Sequence, residues 1–216
     1  MVSNAYSIKE EIWNSVTHGI GTLFAIISTA VLLYKPILEG DAIRIVAFSI
    51  YGLCMIAMFL SSTIYHAIQK VNVKRFVRVF DHSAIFLCIA GTYTPIMLLA
   101  LNSTISRVTL GIIWTVAIIG ISAKIANFKR GNFNKKKALS LALYLIMGWC
   151  SIFFIPQMVR NIGWGFFSYI VIGGVLYSVG AFFYKKKSIK LNHAIWHIFI
   201  LLATISQFIG IYKYLT

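Results

Sequence analysis

The chain has 216 residues, of which 59% are hydrophobic and only 12% charged, with a formal net charge of +15. A soluble domain is about half apolar and about a quarter charged, so this balance excludes an ordinary soluble fold and indicates a polytopic membrane protein with little chain left for a second domain. The basic excess does not indicate nucleic-acid binding, because Lys and Arg sit in short connections between apolar runs, where membrane topology accounts for them.

In chain order, Glu10 and Glu11 precede the first apolar run, and no small-residue cleavage pattern follows it. That run therefore reads as a retained first span rather than a signal peptide. Seven runs follow one another at 16–34, 42–65, 84–101, 108–126, 138–158, 164–184 and 193–212. Each has the length of about 20 residues that a helix needs to cross roughly 30 Å of hydrocarbon. The third extends back towards Phe76, since Phe76, Val77, Val79 and Phe80 are apolar around Arg78. The expected fold is an all-α seven-helix transmembrane bundle, one domain over 1–216, with a short cytoplasmic N-terminal segment at 1–15.

The second-to-third connection holds Lys70, Lys74, Arg75 and Arg78; the fourth-to-fifth holds Lys129, Arg130, Lys135, Lys136 and Lys137, with Lys124 at the helix end. The sixth-to-seventh holds Lys185, Lys186, Lys187 and Lys190. The alternate connections carry only Lys35 and Arg44, Arg107, and Arg160. Basic connections face the cytoplasm, so the N-terminus is expected inside and the C-terminus outside.

Pro95 falls inside the third run and Pro156 near the end of the fifth, where either can kink a helix. Gly173 and Gly174 read as close-packing positions between helices. Trp13, Trp114, Trp149, Trp164 and Trp196 read mostly as interfacial belt. Cys54, Cys88 and Cys150 each lie within an apolar run at scattered spacing, which gives neither a disulfide framework nor a CxxC site.

The seventh run opens with His193-Ala-Ile-Trp-His197. Positions i and i+4 share one helix face, so both imidazoles can reach one bound atom, and unpaired imidazoles in an apolar segment are costly. Under the charge-based topology, His66 closes the second span, Asp81 opens the third, and His193 and His197 open the seventh, all at the cytoplasmic end. Glu11, Asn14 and His18 lie at the head of the first span and are possible accessory residues. Three imidazoles suit Zn²⁺, while also accepting Cu, Ni or Fe. Three protein ligands leave a fourth position for water, whose pKa the metal lowers. Ala194 stands where an HExxH motif has its glutamate, so Asp81 is the candidate general base or a further ligand. Ser62, one turn before His66, can orient a ligand, the water or a carbonyl; the plainer reading is a hydroxyl bonded to its own helix. A lone interfacial histidine is usually an anchor. That reading is taken for His82, which lies about 100° around the helix from Asp81, and it competes evenly with a site role for His18.

Ser62-Thr-Ile-Tyr-His66, Asp81-His-Ser-Ala-Ile and His193-Ala-Ile-Trp-His197, with Glu11-Ile-Trp-Asn14-Ser-Val-Thr17-His18 ahead of them, resemble the motif set of the hemolysin III proteins. These form the bacterial branch of the progestin and adiponectin receptor superfamily. The resemblance runs nearly end to end. It implies a seven-helix bundle with the N-terminus inside, zinc held by His66, His193 and His197, and Asp81 near a metal-bound water. The related alkaline ceramidases hydrolyse a lipid amide with this arrangement. The expected function is therefore a zinc-dependent hydrolase of a lipid amide or ester, with membrane lipid as substrate or ligand. Two alternatives stay open: a zinc-stabilised sensor or regulator without catalysis, and a cytolytic or ion-conducting membrane protein.

Overall fold

The structure, a computed structural model, describes residues 6–132 and 137–216. Lys135 and Lys136, on which part of the charge asymmetry rests, lie outside the described residues. The described chain is helical, with no strand among the described residues. Helices α1 (Ile8–Glu39), α2 (Ala42–Ala67), α3 (Val71–Pro95) and α4 (Thr104–Lys129) are followed by α5 (Lys137–Trp149), α6 (Ile155–Asn161), α7 (Trp164–Lys185) and α8 (Asn192–Leu215). A π-helical turn, Ile96–Leu101, extends α3, and a 3₁₀ segment, Cys150–Phe154, joins α5 to α6 into one span. Among the described residues, seven helical units are long and apolar enough to cross a membrane.

Two spans start well ahead of their apolar runs. Helix α1 begins at Ile8 rather than near 16, so residues 8–15 of the expected short terminal segment are helical. The reason is local. Ser7 caps the helix by accepting from the Glu10 amide, and the Glu10 carboxylate accepts from the Ser7 amide, which satisfies orphan donors reciprocally. Helix α3 likewise begins at Val71, beyond even the early start at Phe76. Polar residues at these heads were invisible to a hydropathy reading because they face other helices: Glu11, Asn14, His18 and Lys74 are all buried.

Pro95 and Pro156 mark changes of helix type. Pro95 has no amide to donate, and the chain passes there into the wider π turn, which closes on Asn102 in the left-handed region at φ 42°. Pro156 sits in the first turn of α6, where its missing donor has no partner to lose, directly after the 3₁₀ break.

Helix α3 is the central span, with 72% of its apolar window buried, and it packs on α2, α4 and α5. Its small residues permit that approach. A Cβ on Gly91 would stand 2.6 Å from the Cys54 Cβ on α2, closer than any real contact allows. Phe48, Tyr51, Met55 and Phe59 of α2 and Phe86, Tyr93 and Met97 of α3 fill the middle of the bundle. Helix α1 packs between α2 and α8, and α7 lies along α8. The heads of α1, α3 and α8 and the foot of α2 therefore meet at one end of the bundle.

Candidate metal centre

His66 lies in the last turn of α2, and His193 and His197 occupy the first two turns of α8. The start of α8 is fixed in two ways. Leu191 turns the chain in the left-handed region at φ 56°, a conformation a branched residue adopts only when its surroundings impose it. Asn192 then donates its side-chain amide to the Phe183 and Tyr184 carbonyls, tying the head of α8 to the foot of α7.

The three imidazoles converge, each at most 9% exposed, and offer three nitrogens all within 4.8 Å of one another. His66 Nε2 and His193 Nε2 are 3.2 Å apart. That separation is close to the edge of about 3.3 Å expected for a tetrahedral ion with bonds of about 2.0 Å to imidazole.

The hydrogen bonds behind the rings decide which nitrogens carry protons. His66 Nδ1 lies 2.6 Å from Glu11 Oε2. A carboxylate only accepts, so Nδ1 carries the proton and the Nε2 lone pair points inward. His197 Nδ1 lies 3.0 Å from the Asn14 carbonyl and 3.2 Å from the Thr17 hydroxyl. The Thr17 proton is directed at the Trp13 and Asn14 carbonyls, so here too Nδ1 donates and Nε2 is left as a lone pair. Among the described residues, His197 Nε2 has no hydrogen-bond partner. Inward lone pairs on His66 and His197, with their outward N–H groups held by oxygen acceptors, are the arrangement of a histidine metal site. The His66, His193 and His197 group can therefore hold a metal ion.

Glu11 is the pivot of this outer layer. Its other oxygen, Oε1, is 2.8 Å from Lys74 Nζ on α3, so a buried chain runs Lys74–Glu11–His66 across three helices. Removing the negative charge should weaken the hold on the His66 proton. In Glu11→Gln, metal affinity is expected to fall by about 10–100-fold with the stoichiometry intact, read by competition against a chelator of known strength. An unchanged affinity would show that Glu11 does not orient His66.

The other sequence candidates fall around this centre. His18 is 2% exposed and stacks on His197, ring centroids 3.5 Å apart, with Phe59 edge-on to its other side. It braces the imidazole of His197 and lies outside the group of three. Asn14 contributes its backbone carbonyl. Ser62 is buried on α2 one turn before His66. Asp81 does not bond directly to the three imidazoles. Its Oδ2 lies 3.0 Å from Nδ1 of His82, the residue read from sequence as pointing away from it. Adjacent residues diverge by about 100° at the backbone, but both side chains are long enough for their tips to meet.

Four contributors were not singled out from the sequence. Thr17 was visible only as part of the motif, and Lys74 only as a topology charge. Tyr6 lies over His193 at 4.9 Å between ring centroids and receives a hydrogen bond from Lys187 Nζ at 3.3 Å. Burial pushes the Tyr6 phenol above its ordinary pKa and holds the Lys187 ammonium below its own. Trp196 packs on His193 and His197 at 4.9 and 5.3 Å. It also lines an apolar cavity of about 130 Å³ between α2, α3, α5, α7 and α8, so this indole stands between the cavity and the imidazoles.

Comparison with known proteins agrees with this architecture. The family described as Haemolysin-III related matches residues 6–208. Hemolysin-3 of Bacillus cereus is 43% identical over 194 residues, covering 90% of this chain and 86% of that protein. The Hemolysin-3 homolog of Bacillus subtilis (strain 168) is 40% identical over 209 residues, covering 97% and 96%. The human monocyte to macrophage differentiation factor is 28% identical over 208 residues, covering 94% and 83%. With seven membrane-spanning helices and these bacterial relatives, the chain belongs to the haemolysin III family and is a multi-pass integral protein of the bacterial plasma membrane.

Proposed function

We propose that the protein is a zinc-dependent hydrolase of a lipid amide or ester, with its metal centre at the cytoplasmic face. The observation that carries this reading is the pair of inward lone pairs, on His66 Nε2 and His197 Nε2, with Trp196 between that group and a cavity that can take an acyl chain. Three imidazoles suit zinc among the common divalent ions. They fall one short of the four protein ligands of a closed structural site.

His66, His193 and His197 would hold the ion, with Glu11 and the Asn14 carbonyl fixing the first and third rings. Bound zinc supplies Lewis acidity and an activated water at neutral pH. The chain's own residues do the rest. Asp81 holds and returns a proton through Oδ2, with His82 Nδ1 at 3.0 Å keeping the carboxylate oriented. Ser62, on the face of α2 that carries His66, orients the substrate carbonyl. The apolar cavity beyond Trp196 admits the acyl chain and keeps bulk water away.

The test is metal analysis of the purified protein followed by incubation with amide- and ester-linked lipids. We expect one zinc per chain, and free fatty acid released by the loaded protein but not after chelation. Metal that leaves only when the protein unfolds, with no lipid consumed, would instead assign the ion to a structural role in a sensor or regulator.

A further inference from the structure

Gln207 is a primary amide deep in the apolar middle of α8. It is 9% exposed, lines the cavity and makes no hydrogen bond among the described residues. Other polar groups on the same wall are engaged. The Tyr177 and Thr204 hydroxyls lie 2.9 Å apart, Thr204 donates to the Ile200 carbonyl, Thr92 donates to the Cys88 carbonyl, and the Trp149 indole donates to Ser178. The amide is therefore free to bond an atom that enters the cavity.

The fold makes room for it. Gln207 rests on the bare backbone of Gly173 in α7, where a Cβ would stand 2.7 Å from Gln207 Cγ and 3.1 Å from Nε2.

Trp196, beside the metal centre, and Gln207 line the same cavity eleven residues apart on one helix, a rise of about 16 Å. An extended chain advances roughly 1.2 Å per bond, so about a dozen bonds separate the two positions. The free volume of about 130 Å³ holds on the order of ten water-sized groups, which is similar to the number of methylenes such a chain would lay along it.

We propose that Gln207 is a specificity-determining residue that hydrogen-bonds an oxygen substituent, a hydroxyl or a carbonyl, on an acyl chain whose head lies at the histidines. The substrate class is thereby an oxygenated-chain lipid rather than a plain saturated one. The proposal rests on the reading above only for the cavity taking an acyl chain; it does not require hydrolysis.

The experiment is displacement of a fluorescent fatty acid from the protein in lipid nanodiscs. The competitors are stearic acid and its analogue hydroxylated about a dozen bonds from the carboxyl carbon. Wild type is expected to bind the hydroxylated acid about 5–10-fold more tightly, the worth of one added hydrogen bond to a buried group. Gln207→Leu should abolish or invert that preference while still binding stearic acid, and Gly173→Ala, which displaces the amide, should reduce it. No preference in wild type, or a preference that survives in Gln207→Leu, overturns the proposal, as does failure of either acid to displace the probe. The same titration on His193→Ala separates the two readings. A preference retained there, in a protein that releases no fatty acid, supports the chain-reading role whatever becomes of the hydrolase.

Discussion

Purified His197→Ala protein is expected to carry less than a tenth of the metal that wild type carries at the same free zinc concentration. Removing a donor from a three-nitrogen set should exceed the 10–100-fold loss typical of an outer-layer change. His197 is the most telling choice because its whole environment is organised around one free nitrogen. Its Nδ1 is held by the Asn14 carbonyl and the Thr17 hydroxyl, its face by His18, and its Nε2 has no partner among the described residues. The alanine also leaves a cavity under His18, so the measurement is paired with His193→Ala and with a thermal-unfolding scan in detergent. Both variants should lose metal and unfold at or below the temperature of wild type stripped by chelator, the difference being the cavity each alanine leaves. Metal retained at one per chain in both would remove these imidazoles from the site.

Asp81→Asn is expected to keep its metal and lose turnover by about 10²–10⁴-fold, the usual contribution of a positioned acid or base. The substitution preserves size and one carbonyl oxygen but removes the proton-accepting function facing His82 Nδ1. Because Asp81 does not touch the three imidazoles, metal content and activity should separate. The two measurements are zinc stoichiometry and fatty-acid release from the amide- and ester-linked lipids. Unchanged turnover excludes Asp81 from the chemistry. Loss of metal along with activity would make it a support of the site rather than a proton carrier.

Much of the outer plan was legible from residues alone. The seven spans follow from the length of each apolar run, and the shared end of His66, Asp81, His193 and His197 follows from counting crossings between them. Spacing also placed His193 and His197 on one face, since i and i+4 are fixed by the helix itself. The boundaries were less legible. Hydropathy could not see that α1 starts at Ile8 or α3 at Val71, because polar residues at those heads are buried against partners that are distant in sequence. Pro156 announced trouble in the fifth span, but not the 3₁₀ segment before it.

Residue order alone specifies a seven-helix membrane protein with three imidazoles, from two helices, at one end of the bundle. Those features depend on local hydrophobic length and on helix periodicity, which a chain carries wherever it is placed. Helix packing was needed to show that Glu11 pairs with His66 and with Lys74, that Asp81 meets His82, that His18 stacks on His197, and that Gln207 faces a cavity with no partner among the described residues. Apart from the neighbouring Asp81 and His82, each joins or encloses elements far apart in the chain. Even that pair depends on rotamers that packing selects. Proton positions, orphaned polar atoms and cavities arise where helices meet, and spacing within one helix does not encode the surface it will face.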